Sequence, residues 1–129
     1  MSNQAPNTNN KMTKFDLEER TTKLGKSIIM FLKEISETTM TKPIISQLLR
    51  SATSIGANYC EADDAESKKD FEHKLGICKK EARETKYWLE MLKTIKPELS
   101  GKINLLAQEA KELNLIFNAI INKTKNRII

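Results

Sequence analysis

The sequence predicts an all-α protein, an antiparallel up-and-down four-helix bundle spanning residues 15–123. Three observations predict it. Four stretches repeat apolar residues at alternating three- and four-residue steps, and short breaks separate them. The chain also has only 4 Gly, 3 Pro and 5% aromatic residues among 129, which suits helices and argues against a β-sandwich. A chain of this length buries roughly 65% of the surface its unfolded form exposes, enough for one core without a metal or disulfide staple.

The first helix is expected from Phe15 to about Thr38, with Leu17, Thr21, Leu24, Ile28, Phe31 and Ile35 on one stripe. Acidic Asp16, Glu18 and Glu19 suit its positive N-terminal end. Pro43 is well placed as the first residue of the second helix, which carries Ile45, Leu48, Ala52, Ile55, Tyr59 and Ala62 on its core stripe. The run Asp63 to Glu66 ends it, and Ser67 with Asp70 makes an acidic variant of the capping box for the third helix. There Phe71, Leu75, Cys78, Ala82, Thr85, Leu89 and Leu92 form the clearest seam in the chain. Pro97, Ser100 and Gly101 mark the last break, after which Ile103, Leu106, Ala110, Leu113, Phe117 and Ile120 resume the alternation. Connections this short force neighbouring helices to run antiparallel. Gly25, Gly56 and Gly76 fall inside helices, where each costs about 1 kcal/mol against Ala, so close approach of another helix is their expected use.

Outside the bundle, residues 1–14 are polar, Asn-rich and basic, and are expected to be a disordered tail without signal-peptide character. Residues 124–129 are expected to be a short basic and apolar tail. No apolar run approaches the ~20 residues of a membrane span. Cys60 and Cys78 sit in helical patterns without metal-ligand or redox spacing, and read as reduced thiols of a cytoplasmic protein.

The net charge of +5 is uneven. Residues 15–37 carry −1 and residues 38–66 carry −2, whereas residues 67–99 and 100–129 carry +3 each. On the third helix Lys79, Arg83 and Lys86 recur at one-turn spacing, with Lys93 further on, and Lys123, Lys125 and Arg127 cluster at the C-terminus. These residues form a candidate nucleic-acid stripe, or else a solvated face and cations that offset a helix dipole. A second stripe, on the second helix, is small and polar: Gln47, Ser51, Ser54, Asn58 and Glu61, with Arg50 alongside. It reads either as a partly exposed face or as a buried network against another helix or subunit. Folding an antiparallel hairpin about residue 65 brings Arg50 level with residue 80, so Arg50 is expected to pair with Glu81 or Glu84. Trp88 belongs to an extra apolar shoulder of the third helix, which is either a wide core face or a subunit contact.

No residue set amounts to an active site, and no cofactor is expected. His73 with Asp70 has the carboxylate-x-x-His spacing of di-iron bundles, but those need two such motifs and further inward Glu ligands, so no metal site is expected. Neither cysteine has an activating histidine, and no serine has a triad context.

The run from Gln47 to Ala62, QLLRSATSIGANYCEA, resembles the signature of the bacterial four-helix bundle proteins encoded in intervening sequences of 23S ribosomal RNA genes, also called S23 ribosomal proteins. The block Phe71 to Leu92 is similar to that family's third helix, with Glu84 at its acidic position. The resemblance implies a homopentamer, a ring of bundles in which Ser51, Ser54, Asn58, Glu61 or the Trp88 shoulder line subunit contacts. A related branch, the accessory variability proteins of diversity-generating retroelements, comprises basic pentamers that bind nucleic acid and a reverse transcriptase. The leading expectation is therefore a non-enzymatic, oligomeric protein that binds RNA or RNA–DNA backbone electrostatically. The alternative is a pentameric scaffold that recruits proteins and uses its basic residues only for solubility.

Overall fold

Four helices form where the periodic stretches predict them. The computed structural model describes residues 14–126, with side chains from Asp16 onward. Helix α1 spans Lys14–Leu32, α2 Thr41–Asp63, α3 Lys68–Ile95 and α4 Ser100–Lys125, with a single 3-10 turn at Pro97–Leu99 before α4. Among the described residues there is no strand. The expected N-terminal tail lies almost wholly outside these residues, and α4 runs two residues beyond the expected boundary at Lys123.

Two further helix ends differ from the sequence reading. The first helix stops at Leu32 rather than about Thr38, because its last turn tightens: Glu34 N donates to Phe31 O and Ile35 N to Leu32 O, both spanning three residues. Ile35 still enters the core. The second helix begins at Thr41, so Pro43 is its third residue, where a missing N–H still costs no helical bond. Thr38, one turn before the helix, and Thr41, its first residue, bond each other. Thr41 Oγ1 accepts from Thr38 N at 2.8 Å, Thr38 Oγ1 accepts from Thr41 N at 3.1 Å, and buried Thr41 Oγ1 lies 2.8 Å from Ser36 O. This reciprocal pair does the work of a capping box with Thr in place of Glu. At the start of α3, Ser67 Oγ accepts from Asp70 N at 3.0 Å, as expected.

The core consists of the predicted stripes with small shifts. Leu32 is buried where Phe31 is half-buried, and Ile121 is buried where Ile120 packs from the side. Helix α3 is the centre of the packing, lying extensively against α2 on one flank and α4 on the other. Helix α1 rests mainly on α2 and meets α4 only narrowly. Arg20 closes that narrow contact, donating to Glu109 Oε2 at 2.7 Å and to Glu112 Oε1 at 2.7 Å.

The α1–α2 contact is close because of two glycines. A Cβ placed on Gly25 would lie 3.7 Å from Ala52 O, and one on Gly56 only 3.3 Å from Thr21 Oγ1. Gly76 does not share this use. A Cβ there meets nothing within 4 Å, because Gly76 lies on the outer side of α3 rather than against a neighbour.

The α2–α3 contact is polar at its middle, and the expected pairing of Arg50 is present with both candidates. Arg50 Nη2 donates to Glu84 Oε2 at 2.6 Å and Nη1 to Glu81 Oε1 at 3.3 Å. Glu81 is buried, 6% exposed, whereas the Arg50 side chain is 47% exposed. Next to this pair the hydroxyls of buried Ser51 and Thr85 meet at 2.9 Å. Each also lies near a carbonyl of its own helix, Leu48 O at 3.3 Å and Glu81 O at 2.8 Å, so the two protons satisfy the pair without water. The Trp88 indole N–H donates to Glu84 Oε2 at 3.2 Å.

Three outcomes follow from these contacts. Arg50→Met leaves the buried Glu81 carboxylate without its cation and is expected to cost about 1–3 kcal/mol in denaturant unfolding, most of which returns when Glu81→Leu is added. Gly76→Ala is expected to stabilise the protein by about 1 kcal/mol, since it gains helix propensity at no steric cost, and Gly56→Ala to fall short of that gain against Thr21. The hydrogen bond from Trp88, then that from Arg50, holds the Glu84 carboxyl below its ordinary value of 4.5. Its contribution is thus complete above pH 4.5 and lost as pH falls through the folded value, so the urea midpoint should drop in acid, less steeply in Glu84→Gln.

Candidate nucleic-acid interface

With one flank of α3 against α2 and the other against α4, a third line of its side chains faces water. At steps of four and three along the helix this line reads Lys69, His73, Gly76, Lys80, Arg83 and Tyr87. Every one of them is exposed except Gly76, which is half-buried. Between this line and α4 lies a hollow of about 520 Å³, lined by Lys69, Glu72, His73, Gly76, Lys79, Lys80, Arg83, Asn114, Ile121 and Lys125. Its lining thus holds five cations against a single acid, Glu72.

The local geometry explains the openness of this hollow. Asn114 of α4 donates its Nδ2 to Lys79 O at 2.8 Å, a bond that fixes α4 against the side of α3 and forms the floor. Gly76 leaves a gap in the middle of the cationic line, since no side chain projects there. None of Lys69, Lys79, Lys80, Arg83 and Lys125 takes part in an ion pair among the described residues, although Glu72 lines the same hollow and Lys80 acts at longer range on Glu84. Lys80 makes no close ion pair with Glu84, whose carboxylate accepts from Arg50 and Trp88, and it adds only a weaker Coulombic pull on that carboxyl. One oxygen of Glu72 is shielded from solvent and has no hydrogen-bond partner.

The residues singled out in the sequence separate into groups. Lys79, Arg83 and Lys125 converge on the hollow, and Lys69 and Lys80, which the stripe reading left out, join them. Their signal was available in the three-four spacing of α3, but only the rotation of the helix in the bundle shows that its outer line and its α4 flank share one depression. Lys86 is half-buried, and Lys123 is exposed near the end of α4; neither lines the hollow. Lys93 is engaged elsewhere, 3.1 Å from Glu90 and 2.9 Å from Asn104 Oδ1. Arg127 lies outside the described residues.

The small polar stripe of α2 also divides. Arg50 and Ser51 belong to the seam with Glu81, Glu84, Thr85 and Trp88 described above, so a buried network holds for that part. Asn58 instead donates locally to Ser54 O and Oγ, both at 2.9 Å, and both residues are half-buried. Glu61 is exposed and accepts from Lys74 at 2.7 Å, a bond that raises the Lys74 pKa. Trp88 is half-buried and packs partly on the core.

Among the described residues no three His, Cys, Asp or Glu side chains are grouped so as to hold a metal ion. Burial pushes the Cys78 thiol up to about 12, and its Sγ lies 3.5 Å from Ile55 O, so it stays protonated and inert. No helix is long and apolar enough to cross a membrane among the described residues.

The chain is similar to a solved protein from Bacteroides thetaiotaomicron, described as a protein with unknown function from the S23 ribosomal protein family. The two are 33% identical and superpose with a TM-score of 0.76, over 84% of this chain and 97% of that one. No curated protein matches. The family model of the 23S rRNA-intervening sequence proteins matches residues 13–119. Match and structure agree with the resemblance carried by the second and third helices: the chain belongs to the 23S rRNA-intervening sequence protein family.

Proposed function

We propose that the protein is a non-enzymatic, oligomeric accessory protein that binds the sugar–phosphate backbone of RNA or RNA–DNA in the hollow between α3 and α4. The observation that carries this reading is the concentration there of Lys69, Lys79, Lys80, Arg83 and Lys125 without internal ion-pair partners. Unpaired cations around a depression attract a polyanion of any sequence, and binding releases the counterions condensed on it.

Self-association is part of the proposal, and a second feature supports it. The α1 side of α2 exposes uncharged Leu49, Thr53, Ala57 and Cys60 at steps of four, four and three. Gly25 stands against Ala52 and Thr53, so one turn further along these antiparallel helices exposed Ile29 comes level with Leu49. A ring of five, as the family resemblance implies, would present five hollows, and modest contacts repeated on one molecule gain avidity. A reverse transcriptase as the recipient of the bound strand is the extension that the retroelement branch implies.

Two measurements test this. Fluorescence anisotropy with a labelled RNA should show affinity falling on the order of 100-fold between 50 and 200 mM salt if about five phosphates are neutralised, with a uniform loss across RNA sequences in Lys79→Ala/Arg83→Ala. Absence of binding at 50 mM salt contradicts the reading. Sedimentation should give an oligomer that Leu49→Lys dissociates, and a monomer at micromolar concentration contradicts the oligomeric part.

A further inference from the structure

Electrostatic contact alone does not choose between a duplex and a single strand, yet the outer line of α3 ends on a group that does. Tyr87 is 53% exposed. It stands one turn beyond Arg83 and two turns beyond Lys80 on the same line. An exposed tyrosine by itself is ordinary. This one is held, because its ring meets Trp88 edge-on at 4.9 Å between centroids with an interplanar angle of 77°. Trp88 is in turn fixed by its hydrogen bond to Glu84, which Arg50 clamps from α2. The ring thus has a packing partner on one side and an exposed surface one turn beyond Arg83, and a ring already packed against a neighbour loses less freedom on binding.

Resting on the reading of the hollow as a backbone-binding site, we propose that its ligand is a single-stranded nucleic acid, with phosphates along Lys80, Arg83 and the hollow and one base stacked on Tyr87. Every base offers a face to an aromatic ring, so such stacking tolerates any sequence. In a duplex both faces of each internal base are covered by neighbours, and only the terminal pairs leave a face open. An internal base stacked on Tyr87 while its strand runs along Lys80 and Arg83 must come from an unpaired strand, and Tyr87 thereby converts a general polyanion site into one that prefers single strands. Gly76 fits this arrangement, since the strand's backbone can lie close to the helix where no side chain stands.

The test uses the full chain and two probes of equal length, a labelled 12-nucleotide oligouridylate and a 12-base-pair RNA duplex, across a salt series. Tyr87→Ala is expected to weaken oligouridylate binding roughly 5- to 150-fold while leaving duplex binding and the salt slope unchanged, and Tyr87→Phe to retain wild-type affinity. Arg83→Ala is expected to weaken both probes and to flatten the salt slope. If the wild type binds oligouridylate and Tyr87→Ala binds it equally well, or loses duplex binding in the same proportion, stacking is wrong and the backbone site stands. If the wild type binds neither probe at 50 mM salt, both readings fall. Thermal melts by circular dichroism confirm that the exposed substitution leaves the fold intact.

Discussion

The polar seam between α2 and α3 is the contact on which the rest of the arrangement depends. Apolar stripes tolerate rotation of a helix about its axis by a fraction of a turn, since one methyl group replaces another at little cost. A buried hydroxyl pair and a buried carboxylate do not. Ser51 with Thr85, and Glu81 with Arg50, satisfy one another only at one rotation and one axial register of α3 against α2. Any other register strands a buried polar group, whose desolvation costs more than the bond itself contributes.

Once that seam fixes α3, the positions of its remaining side chains are decided. One flank belongs to α2, the other to α4, and the line from Lys69 to Tyr87 has nowhere to go but water. Cations on this line are solvated at no cost to the core. The bond from Asn114 to Lys79 O draws α4 against the same region, so the exposed line and the α4 flank enclose one depression instead of two separate faces. The same seam supports Tyr87 indirectly, through Arg50, Glu84 and Trp88. Helix α1 stands outside this chain of dependence, seated on α2 by Gly25 and Gly56 and tied to α4 by Arg20.

How much of this was legible in the sequence varies with the length scale of the interaction involved. Four helices and nearly all of the core could be read, because helix periodicity is local and the breaks at Asp63 to Glu66 and Pro97 to Gly101 are chemically loud. Arg50 meeting Glu81 and Glu84 was also readable, since a short connection turns sequence distance into height along an antiparallel pair. The end of α1 at Leu32 was not, for Lys33 to Glu37 contain no helix breaker and the stop comes from tightened turns beside the Thr38–Thr41 cap. Gly76 could not be told from Gly25 and Gly56 without knowing which sides of α3 were occupied. For the same reason Lys93 looked equivalent to Lys79, although Glu90 and Asn104 hold it, while Lys80 stayed outside the stripe and Tyr87 passed without notice.

We propose that the face of α3 left bare by its two seams is the surface that meets nucleic acid. Ultraviolet crosslinking of the full chain to an unmodified oligouridylate, followed by peptide mapping, reads that surface directly. Crosslinks are expected on α3 between Lys69 and Tyr87, with a second group at the end of α4 near Lys125. Crosslinks concentrated on α1 or on the outer side of α2 would contradict it.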